Sequence, residues 1–222
     1  MRFDIEDVNH ASRSWGDLAA DGARIYVWPF KGSASDTSRQ SPPADLLRHE
    51  IGHDLFIRYL VPSTKSEQYG GDAPDWLDEV AAIAFEGETL RAGRRRAAVR
   101  LAKQAKLIPL QKFLTMNHPE MEARPIPTSS GEALQAFEPG SEDTPRFYAM
   151  ASAFYEYLVA RTGSPAIVAE LAAAFGRREP LDQWIVERAG RGGGVQALDA
   201  DFKAWIALEP LYGGARADEG GL

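Results

Sequence analysis

Cysteine is absent from the 222-residue chain, which excludes disulfide bonds and thiolate metal ligands. The chain also lacks an apolar run of the ~20 residues that a membrane-spanning helix needs. Its polar first ten residues do not contain the apolar segment of a secretory signal. These absences predict a soluble protein that is cytoplasmic as written, or secreted if a signal has been trimmed.

An excess of positive charge is absent as well. The 25 Lys and Arg residues are outnumbered by 32 Asp and Glu residues, giving a net charge of -7, which argues against general nucleic-acid affinity. A predicted helix over 88–106 is nevertheless strongly basic. We expect a solvated helix face there rather than a surface for an acidic partner. Its basic residues are Arg91, Arg94, Arg95, Arg96, Arg100, Lys103 and Lys106.

The sequence does contain the pattern H-E-x-x-H, formed by His49, Glu50 and His53 within a predicted helix. Two imidazoles four residues apart project from the same helix face and can bind one metal ion. Glu50 is then beside the metal, where a general base for a metal-bound water belongs. Without cysteine, a zinc site must use His and carboxylate ligands, a set that is typical of catalytic zinc. The histidines are in register with Leu46, Phe56 and Leu60, on the predicted inward face.

A catalytic zinc usually takes a third protein ligand and keeps one position open for water. The metzincin arrangement, with a third His shortly after the motif, is excluded because Phe56 and Tyr59 occupy those places. Glu79 is the better candidate, since spacings of three and four residues align it with Trp76 and Ile83 on the buried face of the next predicted helix. A buried carboxylate is costly unless it is paired or bound to metal.

Four other polar residues are further candidates for ligands or supporting groups. Glu86 lies two turns beyond Glu79 on the same face and is the competing ligand. Asp78 is predicted to point elsewhere and to act either as an acid in the cap region of the helix or as a hydrogen-bond partner behind a metal ligand. His10 and His118 are predicted to be surface histidines rather than ligands.

The periodicities predict an α+β fold, in which a small N-terminal sheet accompanies the zinc-binding helix and a mostly helical C-terminal half follows. The predicted strand covers 23–30, and a long mobile loop with a short helix near 132–137 is expected over 117–146. The predicted subdomains are therefore an α+β zinc-site subdomain over 1–116, that loop, and a helical subdomain over 147–222. Predicted helices cover 41–60, 76–86, 88–106, 147–160, 165–175, 181–188 and 198–208.

H-E-x-x-H followed by Trp76-Leu77-Asp78-Glu79, which reads W-L-x-E, resembles the gluzincin metallopeptidases. The resemblance is to their peptidase MA-like branch, related to the alanyl and leukotriene-hydrolase-type aminopeptidases, and it covers about residues 44–208. It implies a thermolysin-like catalytic domain with Glu79 as the third zinc ligand. The aromatic segment 147–158 is similar to the helix bearing the family's oxyanion-binding tyrosine, which maps onto Tyr148. Tyr155 and Tyr157 are alternatives with less support.

Two departures limit what the resemblance implies. The thermolysin-like branch has E-x-x-x-D, in which the Asp steadies the first His, whereas this chain has Ile83 there. The partner behind the zinc histidines is therefore unassigned. The G-x-M-E-N exopeptidase motif is absent upstream of the zinc helix, so the aminopeptidase label is not carried over.

The sequence thus predicts a zinc metallopeptidase that acts on a peptide or protein substrate. One Zn²⁺ would be held by His49, His53 and Glu79, with Glu50 as the general base for a metal-activated water and Tyr148 as the oxyanion donor. The alternative is a non-catalytic metal-binding or partner-binding module with a peptidase-like fold. An intact Glu50 counts against that alternative, because a purely structural site has no need of a base.

Overall fold

The computed structural model describes residues 3–7, 24–28, 44–62, 72–119, 121–126, 134–189 and 192–208. The chain divides into two compact units, one formed by residues 1–43 and 121–140 and the other by 44–120 and 141–222. In the first unit, strand β1 (Phe3–Asp7) pairs in parallel with β2 (Arg24–Trp28). A separate antiparallel pair joins β3 (Met121–Ile126) to β4 (Leu134–Pro139).

The described part of the second unit is built from helices. Most of them were predicted, and they differ from the predictions only at their ends, because the period of 3.6 residues identifies a helix better than its limits. The helices are α1 (Ala44–Leu55), α2 (Asp75–Ala84), α3 (Glu88–Lys103), α4 (Leu110–Phe113), α5 (Asp143–Thr162), α6 (Ile167–Gly176), α7 (Leu181–Arg188) and α8 (Gly194–Ala207).

The predicted α+β fold, with an N-terminal sheet accompanying the metal-binding helix, is wrong. Helix α1 belongs to a unit whose described residues contain helices and no strand. Among the described residues, the strands form two separate pairs in the other unit. Residues 24–28 do have the β-branched and aromatic composition of a strand, but local composition does not say whether enough strands join it to form a sheet. The helix expected near 132–137 is likewise replaced by β4.

Helix α2 is the central element of the helical unit. All eight residues from Trp76 to Ile83 are buried, including two acids. Trp76 packs against Phe113 and Phe154, with ring centroids 6.2 and 6.0 Å away. The ring of Phe154 in turn contacts Phe202 of α8 at 5.6 Å. Since aromatic rings bury large apolar areas, this cluster fixes α2 between α5 and its neighbours.

Helix α1 ends in a π-helical turn over Phe56–Leu60, just before the predicted stop at Val61-Pro62. The Val61 N–H donates to the Phe56 carbonyl five residues earlier, at 2.9 Å. The wider turn changes which residues share a face. Phe56 is buried as predicted, whereas Leu60 is 42% exposed and its predicted inward position is wrong.

Within the described residues, no single helix is both long and apolar enough to cross a membrane. Helices α5 and α6 meet that test only when taken together, and the chain bends by 95° between them.

Gly52 allows α1 and α2 to approach each other closely. A Cβ atom at position 52 would lie 2.7 Å from the Ala82 Cα and 3.0 Å from the Ala82 carbonyl oxygen. Both are backbone atoms, so a side chain at this position would force the helices apart. The close approach brings the histidines of α1 within reach of the acids of α2.

Gly52→Ala is expected to lower the free energy of unfolding by about 1–3 kcal/mol, the usual cost of overpacking. Gly93→Ala is the matched control in a helix interior, since its Cβ would meet only the Arg96 Nη2 at 3.9 Å. Its higher helix propensity should stabilise the protein by up to about 1 kcal/mol. Chemical denaturation of the metal-free variants measures both effects. Equal shifts in the same direction would contradict the packing argument.

Candidate metal centre

Three buried side chains converge where α1 faces α2. His49 and His53 come from successive turns of α1 and Glu79 comes from α2, and each offers a ligand atom within 4.8 Å of the others. The two Nε2 atoms are 3.1 Å apart, and each lies 3.7 Å from a Glu79 carboxylate oxygen. Tetrahedral zinc, with bonds of about 2.0–2.2 Å, places its ligand atoms about 3.3–3.6 Å apart. This group could therefore hold a metal ion with little rearrangement.

A carboxylate lies behind each imidazole. The Nδ1 atom of His49 is 2.8 Å from Glu86 Oε1, and the Nδ1 atom of His53 is 2.8 Å from Asp78 Oδ2. An ionised carboxylate only accepts, so a neutral imidazole at either position would carry its proton on Nδ1, and with both rings neutral the Nε2 lone pairs would face each other. Two lone pairs 3.1 Å apart repel each other unless a proton or a metal ion lies between them. The same carboxylates would orient the rings of metal-bound histidines.

Glu79 provides an independent indication of a cation-binding site. Its carboxylate is fully buried, and neither oxygen has a hydrogen-bond donor in the part of the chain that the structure describes. Burial raises the pKa of Glu79, while His49, His53 and Arg94 oppose that rise. A buried carboxylate without donors is costly, and a bound metal ion would remove that cost.

The charges around the three ligands do not balance without a cation. Asp78, Glu79 and Glu86 contribute three carboxylates. Arg94 of α3 supplies one guanidinium, whose Nη2 is 2.5 Å from Glu86 and whose Nη1 is 3.7 Å from Glu79. With ionised carboxylates and with both imidazoles neutral, as metal binding requires, these four groups carry two net negative charges, and in the metal-free protein a proton on His53 offsets one of them. A divalent cation has the charge that balances them.

The carboxylates around His53 also affect its pKa. Burial alone would lower this pKa, but Asp78, Glu79 and Glu50 outweigh burial and raise it to about 9. In the metal-free protein, the imidazole is therefore held in its charged form near neutral pH. A cation is favoured at this point of the structure.

The sequence places these acids by helical spacing. Asp75, Asp78, Glu79 and Ala82 follow one another at intervals of three, one and three residues, so they share the face of α2 that meets α1. The prediction that Asp78 points elsewhere is therefore wrong, whereas its predicted alternative role as an acid behind a ligand agrees with its contact with His53. Glu86 follows just after the end of α2, where its N–H donates to the Ile83 carbonyl. Asp78 and Glu79 are buried on this face, whereas Asp75 at the start of α2 is only partly buried.

Glu50 lies next to His49 on α1 and is partly exposed, unlike the three ligand residues. Its charge contributes to the raised pKa of His53, which places the carboxylate in the same electrostatic environment. Glu50 is therefore accessible to water at the edge of the buried His49–His53–Glu79 group.

Tyr148 of α5 is also at this group. Its ring centroid is 6.3 Å from that of His49, and the Arg94 guanidinium lies over the ring at 4.7 Å. Of the alternatives, Tyr157 donates its hydroxyl to Asp201 of α8 at 2.7 Å. That contact joins α5 to α8 and leaves Tyr148 as the tyrosine that the structure places beside the histidines.

His118 was predicted to be a surface histidine rather than a ligand, and it is not among the three described residues that could hold a metal ion. It is half-buried, its Nε2 lies 3.2 Å from the Tyr148 hydroxyl, and its backbone N–H donates to Asp75 at 2.6 Å. Thirty residues separate His118 from Tyr148, so no local pattern could have paired them. His10, the other histidine predicted to lie at the surface, is outside the described residues.

Part of the basic segment was also assigned incorrectly. Arg94 does not belong to a solvated face, because only 13% of its side chain is exposed and its guanidinium pairs with Glu86 and Glu79. Arg95 likewise pairs with Glu156 of α5. The solvated-face prediction holds for the exposed members Arg96, Arg100, Lys103 and Lys106.

Comparison with protein-family models, with curated protein sequences and with solved structures gives no match for this chain. The resemblance to gluzincins therefore depends on the motif residues alone, and any proposed function depends on where the structure places these residues.

Asp78→Asn is expected to weaken zinc binding about 10- to 100-fold, since a neutral amide holds the His53 ring less firmly than a carboxylate does. Competition with a chromophoric chelator measures the affinity. Asp182→Asn, at an exposed position of α7, is the matched control and should bind zinc like the wild type. Equal affinities for all three proteins would show that Asp78 does not support the metal.

A metal ion held by the three side chains should stabilise the folded protein, because a ligand that binds only the native state shifts the folding equilibrium toward it. Zinc is the ion used to test this. At a free zinc concentration 100 times the Kd, the gain is about 2.7 kcal/mol. Glu79→Gln removes a ligand and should abolish this gain, whereas Glu187→Gln, at an exposed position, should retain it. Thermal unfolding with and without zinc tests the assignment. A zinc-dependent shift that persists in Glu79→Gln would exclude Glu79 as a ligand.

Proposed function

We propose that this protein is a zinc-dependent peptidase, in which His49, His53 and Glu79 hold one Zn²⁺ and Glu50 acts as the general base. The observation that carries the proposal is the joint placement of the buried His49–His53–Glu79 group and a partly exposed acid on the adjoining helix position. Metal ligands alone would suit many roles. A carboxylate beside them that water can reach favours hydrolysis.

Zinc is proposed because of the donor set. Two imidazoles and one carboxylate form a known combination in catalytic zinc sites, and the absence of cysteine excludes the thiolate sets of most structural sites. A structural zinc site normally closes with four protein ligands. Here the cluster found among the described residues contains three. A tetrahedral zinc ion held by these three side chains would keep one position for a water molecule or a substrate.

When bound, zinc supplies Lewis-acid chemistry that lowers the pKa of a water molecule to about 7 and polarises a carbonyl. Glu50 accepts the proton that the attacking water loses and later delivers it to the leaving amine. Glu86 and Asp78 keep the two imidazoles oriented. The Tyr148 hydroxyl donates a hydrogen bond to the developing oxyanion.

Arg94 has a supporting role in this arrangement. Its guanidinium pairs with Glu86 and lies over the ring of Tyr148, so one side chain connects the group behind His49 to the proposed oxyanion donor. A planar guanidinium suits both contacts, because it can bind a carboxylate at its edge and stack on a ring with its face.

Glu50→Gln tests the peptidase proposal directly. The variant should bind zinc with stoichiometry equal to that of the wild type, since Glu50 is not a ligand. Its kcat on a broad library of quenched fluorescent peptides should fall at least about 10²- to 10⁴-fold, the usual contribution of a general base. Zinc content by elemental analysis and turnover are measured on the same preparations.

Glu187→Gln serves as the control for this substitution, because it makes the same chemical change at an exposed position. It should cleave like the wild type. Stoichiometric zinc with identical turnover in wild type and Glu50→Gln would reject the enzyme and leave a non-catalytic metal-binding module.

A further inference from the structure

His118 forms a hydrogen bond with the Tyr148 hydroxyl through Nε2, and the contact of its other ring nitrogen determines which of the two side chains donates. The His118 Nδ1 is 2.8 Å from the Pro119 carbonyl oxygen, which can only accept. The ring proton is therefore on Nδ1, and Nε2 carries a lone pair. At 3.2 Å from Nε2, the Tyr148 hydroxyl is the donor of the contact between them.

The position of His118 is fixed relative to the helix that carries the metal ligand. Its backbone N–H donates to the Asp75 carboxylate at 2.6 Å, and Asp75 lies one turn before Glu79 on α2. The imidazole also packs edge to face against Phe147, with centroids 5.2 Å apart. Burial lowers the pKa of His118, in agreement with a neutral ring that accepts at Nε2.

We propose that His118 is a positioning residue for Tyr148, holding the phenol hydroxyl beside the metal group until a substrate carbonyl takes its place as acceptor. The proposal rests on the peptidase function for its kinetic consequences, but not for the hydrogen bond itself. Two contacts then restrain the tyrosine, His118 at its hydroxyl and Arg94 over its ring.

The direction of the hydrogen bond gives the pair its specific role. A phenol has one proton, so while Tyr148 donates to His118 it cannot donate to an oxyanion. Rotation about the Cζ–O bond redirects the Tyr148 hydroxyl hydrogen from His118 Nε2 to the substrate oxygen without moving the ring. The ring is thus ordered before the reaction, and only the hydroxyl proton has to reorient.

Substitutions that keep or remove the acceptor separate positioning from simple packing. His118→Leu removes the acceptor and retains an apolar side chain, and it should lower kcat about two- to tenfold, the usual effect of one unrestrained side chain. His118→Gln retains an acceptor oxygen near Nε2 and should recover most of that loss. KM should change little in either variant, because the contact precedes substrate binding.

Combination with Tyr148→Phe shows whether His118 acts through the tyrosine. Tyr148→Phe alone should lower kcat about 10²- to 10³-fold through loss of an oxyanion donor. Adding His118→Leu should then cause no further loss, since the hydroxyl it restrains is gone. A loss as large in the Tyr148→Phe background as in the wild type would overturn the proposal.

A measurement on the zinc-free protein keeps this inference distinct from the proposed function. Nitrogen NMR of the His118 ring should show a protonated Nδ1 and an accepting Nε2 whose resonance shifts in Tyr148→Phe. A proton on Nε2, or no shift in that variant, overturns the proposal whatever the activity. The expected spectra in a zinc-loaded protein that cleaves no peptide would reject the peptidase function while supporting the Tyr148–His118 contact.

Discussion

The close packing of α1 against α2 is the constraint on which the site depends. Gly52 presents no side chain to Ala82, so the histidines of one helix meet the acidic face of the other. Since α2 is also the centre of the hydrophobic core, its acids are removed from water by the same packing that stabilises the fold. Asp78 and Glu86 are then matched to the imidazoles, while Glu79 has no hydrogen-bond donor among the described residues.

Much of the helical unit was predictable because its information is local. Helical periodicity identified seven of the helices, and the spacing of Glu79 from Trp76 and Ile83 correctly placed its carboxylate on a buried face. The fold class was not predictable in the same way. A segment such as 24–28 can be recognised as a strand from its side chains, but the number of strands that pair with it depends on distant parts of the chain.

The roles of Arg94 and His118 depend on contacts between distant segments, whereas the position of Leu60 depends on a local irregularity of its helix. Arg94 is one of several neighbouring basic residues in the sequence. The packing of α3 determines that Arg94, and not Arg95 or Arg96, contacts Glu86. His118 gains its partner from α5, thirty residues later. Leu60 is displaced from the inward face by the π-helical turn, for which the sequence contained no recognised signal.

A buried ionic cluster is weak evidence for a stabilising role, because well-packed apolar residues of similar volume often stabilise a core equally well or better. The three carboxylates and one guanidinium around His49 and His53 are therefore better explained by what they bind than by the stability they add. Their excess of two negative charges fits a divalent cation. A cation held only for stability has no need of a partly exposed acid beside it. Glu50 occupies that position, and this favours chemistry at the metal centre over a purely structural ion.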